Sequence, residues 1–403
     1  MDKTELLTWI DGQHDRMVEM VLAWSRINSG SFNVKGVQQM RKALTEAFAP
    51  LGGEAEVLPI APLQTVNSSG EVDEIPLAEA LRIRKRPDAP VKIVLSGHMD
   101  TVFPKDCAFQ EPVWLDDNTI NGPGVTDLKG GLVCMLVALE ALEQSEFADQ
   151  IGWEVLLNPD EEIGSQGSNP YLVEAAERND VGMIYEPSLA DGTLAGARKG
   201  SGNFVIVVKG KAAHAGREFD KGRNAIALLA EIITALYEIN GRRDDVTLNP
   251  GKIEGGGPTN VVPDTAILRF NVRMPEPEDQ VWLQSQFDKI VERFSNREGF
   301  SVGLHGAFTR PPKPLSEENT RLFELVRDCG NELGQQIRWK ATGGCCDGNN
   351  MAAAGLPNVD TLGVRGGDIH SDKEFLLVDS LTERAKLSLL VLMRLAQEGW
   401  KSK

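Results

Sequence analysis

Val91-Lys92-Ile93-Val94-Leu95-Ser96-Gly97-His98-Met99-Asp100 is an apolar run that ends in a histidine and an aspartate. A run this short and this apolar reads as a strand buried on both faces, the kind a parallel sheet requires. Downstream, Gly122-Pro123-Gly124 leads into an apolar helix from about Asp127 to Gln144. Residues 153–157 read as a second strand and 181–185, after a polar helix, as a third. Short apolar strands alternating with helices predict an α/β unit with a mostly parallel sheet, whose ligand sites lie beyond the carboxyl ends of the strands.

Upstream, two amphipathic helices are expected over 4–27 and 36–49, the second opened by the turn-prone Asn28-Ser29-Gly30-Ser31. Residues 67–74, rich in Asn, Ser, Gly and acids, read as a surface loop. After Gly200 the pattern changes to strand 203–209, helix 224–239, strands 246–254 and 265–273, helix 279–295 and strand 300–305. This β-α-β-β-α-β run has the ferredoxin-like order. Beyond Pro311-Pro312 the α/β alternation resumes with helix 317–334, strand 336–339, helix 347–354, strand 359–362 and a terminal helix over 379–398. The expected organisation is a discontinuous first domain, 1–199 with 309–403, and an inserted second domain, 200–308. A chain of 403 residues also exceeds what one core usually organises.

A formal net charge of −17 argues against a sequence-independent nucleic-acid binder, which needs excess Lys and Arg to neutralise phosphates. No apolar run approaches the roughly 18 residues that span a bilayer, and the first residues are too charged for a signal peptide. No membrane association and a cytoplasmic location are therefore expected. The five cysteines show neither Cys-x-x-Cys spacing nor a secreted disulfide framework, and read as reduced thiols.

The chemistry sits at the strand ends. A strand's period of two puts His98 and Asp100 on one side, so Asp100 can accept from the far imidazole nitrogen of a metal-bound His98; a strand-capping pair is the alternative. Asp127 opens an apolar helix, where any protein tolerates an N-cap acid, but its two oxygens also suit it to bridge two cations. Asp160-Glu161-Glu162 leaves a strand directly. It is either a solvated acidic loop or a division of labour, with Glu162 holding a metal and Glu161 free as general base. Glu186 ends the third strand and His370 follows a glycine-rich turn; each alone could be a surface residue. Together they supply one histidine and one carboxylate for each of two metals plus a shared aspartate. That set suits zinc, with cobalt or manganese as substitutes, and the reaction class is amide hydrolysis.

The motifs Ser96-Gly97-His98-Met99-Asp100-Thr101-Val102, Gly122 to Gly131, Asp160-Glu161-Glu162-Ile163-Gly164-Ser165, Tyr185-Glu186-Pro187, Gly210-Lys211-Ala212-Ala213-His214-Ala215-Gly216 and His370-Ser371-Asp372-Lys373-Glu374 occur in one order. In this the chain resembles the co-catalytic di-zinc hydrolases that include glutamate carboxypeptidase, acetylornithine deacetylase, succinyl-diaminopimelate desuccinylase and aminoacylase. The resemblance implies a zinc-exopeptidase-like catalytic domain with an inserted ferredoxin-like lid and dimerisation domain. It further implies that His98 and Glu186 bind one zinc, that Glu162 and His370 bind the other, and that Asp127 bridges both. Glu161 would be the general base and Asp100 the residue orienting His98. His214 resembles the histidine that stabilises the oxyanion across a homodimer interface.

Glu at position 186, where aminopeptidase relatives have Asp, moves the expected substrate towards a small peptide or N-acyl amino acid with a free carboxylate. Arg273 and Arg310 are the best-placed bidentate donors for it, although Arg273 also reads as an exposed strand-end charge. Asn260 resembles a substrate-contacting position. Where many relatives have Gly-Gly-Gly-Ser/Thr-Asp, this chain has Gly343-Gly344-Cys345-Cys346-Asp347, whose thiols either line the pocket or simply pack. The expectation is an amidohydrolase releasing a C-terminal amino acid, closest to glutamate carboxypeptidase. The alternatives are an N-acyl-amino-acid deacylase, then an aminopeptidase or a non-catalytic binding protein.

Overall fold

The structure is a computed structural model in which residues 1–400 are described. Its main sheet runs Glu54–Leu58, Ala80–Lys85, Ile151–Asn158, Val91–His98, Val181–Ile184 and Asn358–Val359. The last four strands are parallel, as the apolar runs predict. The first two are antiparallel and absent from the sequence reading. They were hidden by charge: Arg82 is buried on Ala80–Lys85 because its guanidinium pairs with Glu56 at 2.6 Å and Glu174 at 3.4 Å.

Helix Gly130–Glu143 is apolar nearly all round because it is enclosed, packed among the sheet, the terminal helix Ser380–Glu398 and the N-terminal helices. Helices Asn169–Arg178 and Asp347–Ala353 cover the opposite face. The expected helix over 4–27 is broken into Lys3–Asp11 and His14–Ser25. Gly12 stops the first of these, its N–H turning back to the carbonyls of Thr8 and Ile10. The next helix is Val34–Phe48, with the Asn33 side chain accepting from Gly36 N.

The second unit is Gly200–Lys209, Ala225–Tyr237, Thr247–Gly255, Thr265–Met274, Pro277–Ser295 and Ser301–Arg310. Its four strands are ordered second, third, first, fourth, which is the ferredoxin-like sheet. Both helices pack on one face, where Phe204 meets Phe270, Phe287 and Phe308 at ring-centre distances of 5.0–5.5 Å. The chain is therefore α/β, a largely parallel sheet with an inserted ferredoxin-like unit.

Two further expectations need correction. Residues 67–74 are not simply a loop, since Leu63–Val66 and Val72–Ile75 form a hairpin. Asn67 Oδ1 accepts from Ser69 N and Glu71 N, and Gly70 takes the left-handed conformation the turn requires (φ 76°). Val66 then packs on Val205, Val207 and Ile267 of the ferredoxin-like sheet. The strand expected over 336–339 instead lies at Trp339–Thr342, paired in parallel with Leu194–Arg198.

Candidate metal centre

Three neighbouring parallel strands deliver their carboxyl ends to one place. His98 closes Val91–His98, the turn Glu161–Ile163 follows Ile151–Asn158, and Glu186 follows Val181–Ile184. Asp127 enters from the irregular turn Val125–Lys129, where its backbone is non-helical (φ −114°, ψ 88°). It does not cap the next helix, which begins at Gly130 with no side-chain cap. Its carboxylate instead lies between two imidazoles, Oδ1 at 3.0 Å from His98 Nε2 and Oδ2 at 3.3 Å from His370 Nε2. Glu374 fixes that turn by accepting from the backbone N–H groups of Gly124, Thr126 and Asp127 at 3.2, 2.9 and 3.0 Å.

Glu161 and Glu162 are adjacent but face different partners. Glu162 Oε2 is 3.2 Å from His370 Nε2, whereas Glu161 Oε1 accepts from Arg310 Nη2 at 2.7 Å. Both residues hang from Asp100, whose two oxygens accept from Glu161 N at 3.1 Å and Glu162 N at 3.2 Å while Ser31 Oγ donates at 2.7 Å. The carboxylate of Asp100 is thus mostly engaged in holding the Glu161–Glu162 turn. His98 Nδ1 is closer to the backbone carbonyl of Asp100, at 3.0 Å, than to its carboxylate, at 3.5 Å.

Donor atoms of His98, Asp127 and Glu162 lie within 4.8 Å of one another, as do those of His98, Glu161 and Glu186. Glu186 Oε1 is buried with no hydrogen-bond partner among the described residues, 3.8 Å from His98 Nε2. A buried carboxylate oxygen without a donor is costly unless a cation faces it. Burial raises Glu161 to about 8, against the attraction of Arg310. It raises Glu162 too, helped by Asp127, and carries Glu186 well above the usual carboxylate range, helped by Glu161. Asp127 goes the other way: burial pushes it up, but the hydrogen bonds from His370 and His98 hold it well below that range. Crowded, dry carboxylates beside imidazoles fit divalent cations that favour oxygen and nitrogen donors.

The residues expected to contact substrate are spread more widely. Arg310 is buried and committed. Nη1 donates to Asp347 at 2.6 Å and Asn350 at 2.9 Å, and Nη2 to Glu161 and Ser165. Both of its amino groups donate to protein oxygens, among them Glu161 Oε1. Arg273 is half-buried; Nη1 reaches Cys345 Sγ and Nε reaches Asn271 Oδ1, each at 3.1 Å, while Nη2 has no hydrogen bond among the described residues. His214 and Asn260 are exposed neighbours on the ferredoxin-like unit, linked by Ala215 N to Asn260 O at 2.9 Å. Among the described residues neither hydrogen-bonds to the carboxylate cluster. Cys346 is buried, and burial raises its thiol well above the usual range.

Ser31, Glu374 and Asp347 escaped the sequence reading of roles. Ser31 and Glu374 act largely through backbone hydrogen bonds or on other ligands' neighbours, which leaves no spacing signature. Asp347 and Glu374 stood inside quoted motifs but without an assigned task.

An α/β sheet with a ferredoxin-like insertion and a buried His/Asp/Glu cluster at its strand ends defines the class of metal-dependent hydrolases that cleave amide bonds. The comparisons with known proteins agree. The chain belongs to peptidase family M20/M25/M40, which matches residues 94–394. It is 28% identical over 311 residues to carboxypeptidase G2 of Pseudomonas sp. (strain RS-16), covering 75% of this chain and 74% of that protein. It is 26% identical over 361 residues to succinyl-diaminopimelate desuccinylase of Hahella chejuensis (strain KCTC 2396), covering 84% and 90%. A tripeptidase from Staphylococcus aureus subsp. aureus mu50 superposes with a TM-score of 0.72 at 23% identity over 96% of this chain and 99% of that one. The chain is a metal-dependent peptidase or deacylase, and among the described residues no helix is long and apolar enough to cross a membrane.

Proposed function

We propose that the protein hydrolyses an amide bond to release a C-terminal amino acid from a small peptide or N-acyl amino acid. The observation that carries the reading is Asp127, which turns one oxygen to each of two histidines while Glu161 and Glu162 diverge beside it. His98 with Glu186, and His370 with Glu162, would each hold one zinc ion, Asp127 serving both; cobalt or manganese would suit the same donors. Bound there, the ions would lower the pKa of a water molecule and polarise the scissile carbonyl.

The chain's own residues do the rest. Glu161 takes a proton and returns it to the leaving nitrogen, its Oε1 anchored by Arg310 so that Oε2 is left to work. Asp100, supported by Ser31, sets the turn that aims Glu161 and Glu162 apart. Arg273, with one amino group unbonded among the described residues, meets the substrate carboxylate, and Asn260 contacts substrate. Residues 200–308 act as lid and dimerisation unit on the body formed by 1–199 and 309–403. In a homodimer His214 of one copy serves the site of the other, and its exposure without a partner in its own cluster supports this. A cytoplasmic enzyme fits the absence of a spanning helix among the described residues.

The desuccinylase relative favours a second reading, removal of an acyl group from an acylated amino acid. A turnover screen of the zinc-loaded protein, with dipeptides and N-acyl amino acids varied on both sides of the amide, tests both. Release of amino acids from dipeptides or large acyl donors supports the first, and activity restricted to small acyl groups supports the second. Cleavage that requires a free substrate amino group contradicts both.

A further inference from the structure

Arg198, Arg273 and Arg310 differ in what faces them. Arg310 pairs with Glu161 and Asp347, and Arg198 with Asp360. Arg273 makes no ion pair among the described residues. Its guanidinium is nevertheless held at two points, Nε donating to Asn271 Oδ1 and Nη1 to Cys345 Sγ, each at 3.1 Å. A guanidinium is planar, so two fixed nitrogens set the plane in which the third, Nη2, lies.

Both holding groups are themselves fixed. Asn271 lies two residues before Arg273 on Thr265–Met274, on the same face of the strand. Its Nδ2 donates to Ser201 Oγ, Gly202 O and Asn203 Oδ1 at 2.8–3.1 Å, which turns Oδ1 towards Arg273. Cys345 comes from outside the ferredoxin-like unit, in the turn before helix Asp347–Ala353. Asn349 pins that turn: its Oδ1 accepts from Cys346 N at 3.1 Å, and its Nδ2 donates to the carbonyls of Lys199 and Pro311 at 3.1 and 2.8 Å. Lys199 precedes strand Gly200–Lys209 and Pro311 follows strand Ser301–Arg310. The turn that carries the thiol is thus tied to the two places where the chain enters and leaves the unit that carries Arg273.

The use of a thiol has a physical consequence. A carboxylate in its place would hold the guanidinium more firmly but would neutralise it, as Glu161 and Asp347 do for Arg310. A thiol sulfur is a weak acceptor without formal charge, so it orients the group and leaves its positive charge for another anion. The glycine that many relatives carry at this position has no side chain to accept with. Cys345 is half-buried and lies within electrostatic reach of Arg310, the residue that holds Glu161.

We propose that Cys345 is a positioning residue, whose thiol orients the Arg273 guanidinium, its charge uncompensated, for the free carboxylate of the substrate. This rests on the reading above in which Arg273 meets that carboxylate.

The test is a double-mutant cycle on the zinc-loaded protein, comparing wild type, Cys345→Ala, Arg273→Met and the double variant on the dipeptide or N-acyl amino acid that the turnover screen finds best. Cys345→Ala should raise KM about fivefold, as loss of one hydrogen bond does, with kcat held within about twofold. In the Arg273→Met background the same change should leave kcat/KM unaltered, because no guanidinium is left to orient. An unchanged KM in Cys345→Ala overturns the proposal. So does a loss of equal size in both backgrounds, which a thiol that merely packs would give. Should the wild type cleave nothing, the amide-hydrolase reading fails on its own, and crystal structures of wild type and Cys345→Ala decide for Cys345. They also decide if Arg273→Met is too slow to assay. An Arg273 guanidinium that leaves its place when the thiol is gone supports the positioning role, and one that stays overturns it.

Discussion

Arg310 Nη2 donates to Glu161 Oε1 at 2.7 Å from the end of the strand that leads out of the ferredoxin-like unit. The inserted unit is thereby connected directly to the carboxylate proposed as general base, and through Nη1 to Asp347. Replacing Arg310 by Met leaves Glu161 and Asp347 buried without their cation, which costs about 3–5 kcal/mol. Urea unfolding should register that loss, and kcat should fall with it; a variant of unchanged stability contradicts the assignment.

Glu161→Gln removes the proton acceptor but keeps a side chain of the same size. An activity loss of about 10²–10⁴-fold is expected, with metal content by atomic emission unchanged. Loss of metal along with activity would make Glu161 a ligand instead, a role its proximity to His98 and Glu186 also permits.

Much of the sheet was legible because strands buried on both faces spell themselves in Val, Ile and Leu, as 91–95 do. The antiparallel edge was not, since Arg82 on Ala80–Lys85 and the exposed acids of Glu54–Leu58 read as surface until Glu56 and Glu174 are seen pairing with that arginine. The ligand candidates could be found because each follows a strand or a glycine-rich turn. The contacts of Arg310 with Glu161 and Asp347 were not legible because strand Ser301–Arg310 was expected to stop near 305. Gly303, Gly306 and Ala307 dilute the apolar alternation that would have carried the prediction into the cluster.

Chelation should destabilise as well as inactivate. Ions that bind only the folded chain add about 2.7 kcal/mol when present at a hundred times their Kd. Removing them also leaves Glu161, Glu162 and Glu186 buried without a metal cation beside Asp127, where burial raises their carboxyls and favours proton uptake. The thermal midpoint should drop with a chelator and recover with zinc, and an unmoved midpoint would argue that no ion is bound there.

Away from the site, Glu143 accepts from Arg86 Nη1 at 3.0 Å and Trp153 Nε1 at 2.8 Å and pairs with Lys85. Burial pushes its carboxyl up, but the hydrogen bonds from Arg86, Lys85 and Trp153 prevail and hold it below the usual value. A depressed folded pKa means stability that is present above the unfolded value of about 4.3 and is lost as pH falls through the folded one. Glu143→Gln should therefore cost about 1.5–3 kcal/mol at pH 7. The gap between wild type and variant should close under acid; a gap that is constant down to about pH 3 contradicts the ionic origin.

If His214 serves the neighbouring copy, mixing two inactive variants should restore activity. A hybrid of His214→Ala with Glu161→Gln carries one site that has both groups. Statistical reassortment then gives about a quarter of wild-type turnover. No recovery after subunit exchange, with hybrids verified by mass, would confine His214 to its own subunit or to no role.

The most direct examination of the whole account is an anomalous difference map from crystals grown with zinc. Two peaks about 3.5–4 Å apart are expected. One should contact His98 and Glu186 and the other Glu162 and His370, with an oxygen of Asp127 directed at each. One peak alone, or peaks remote from Asp127, would contradict it.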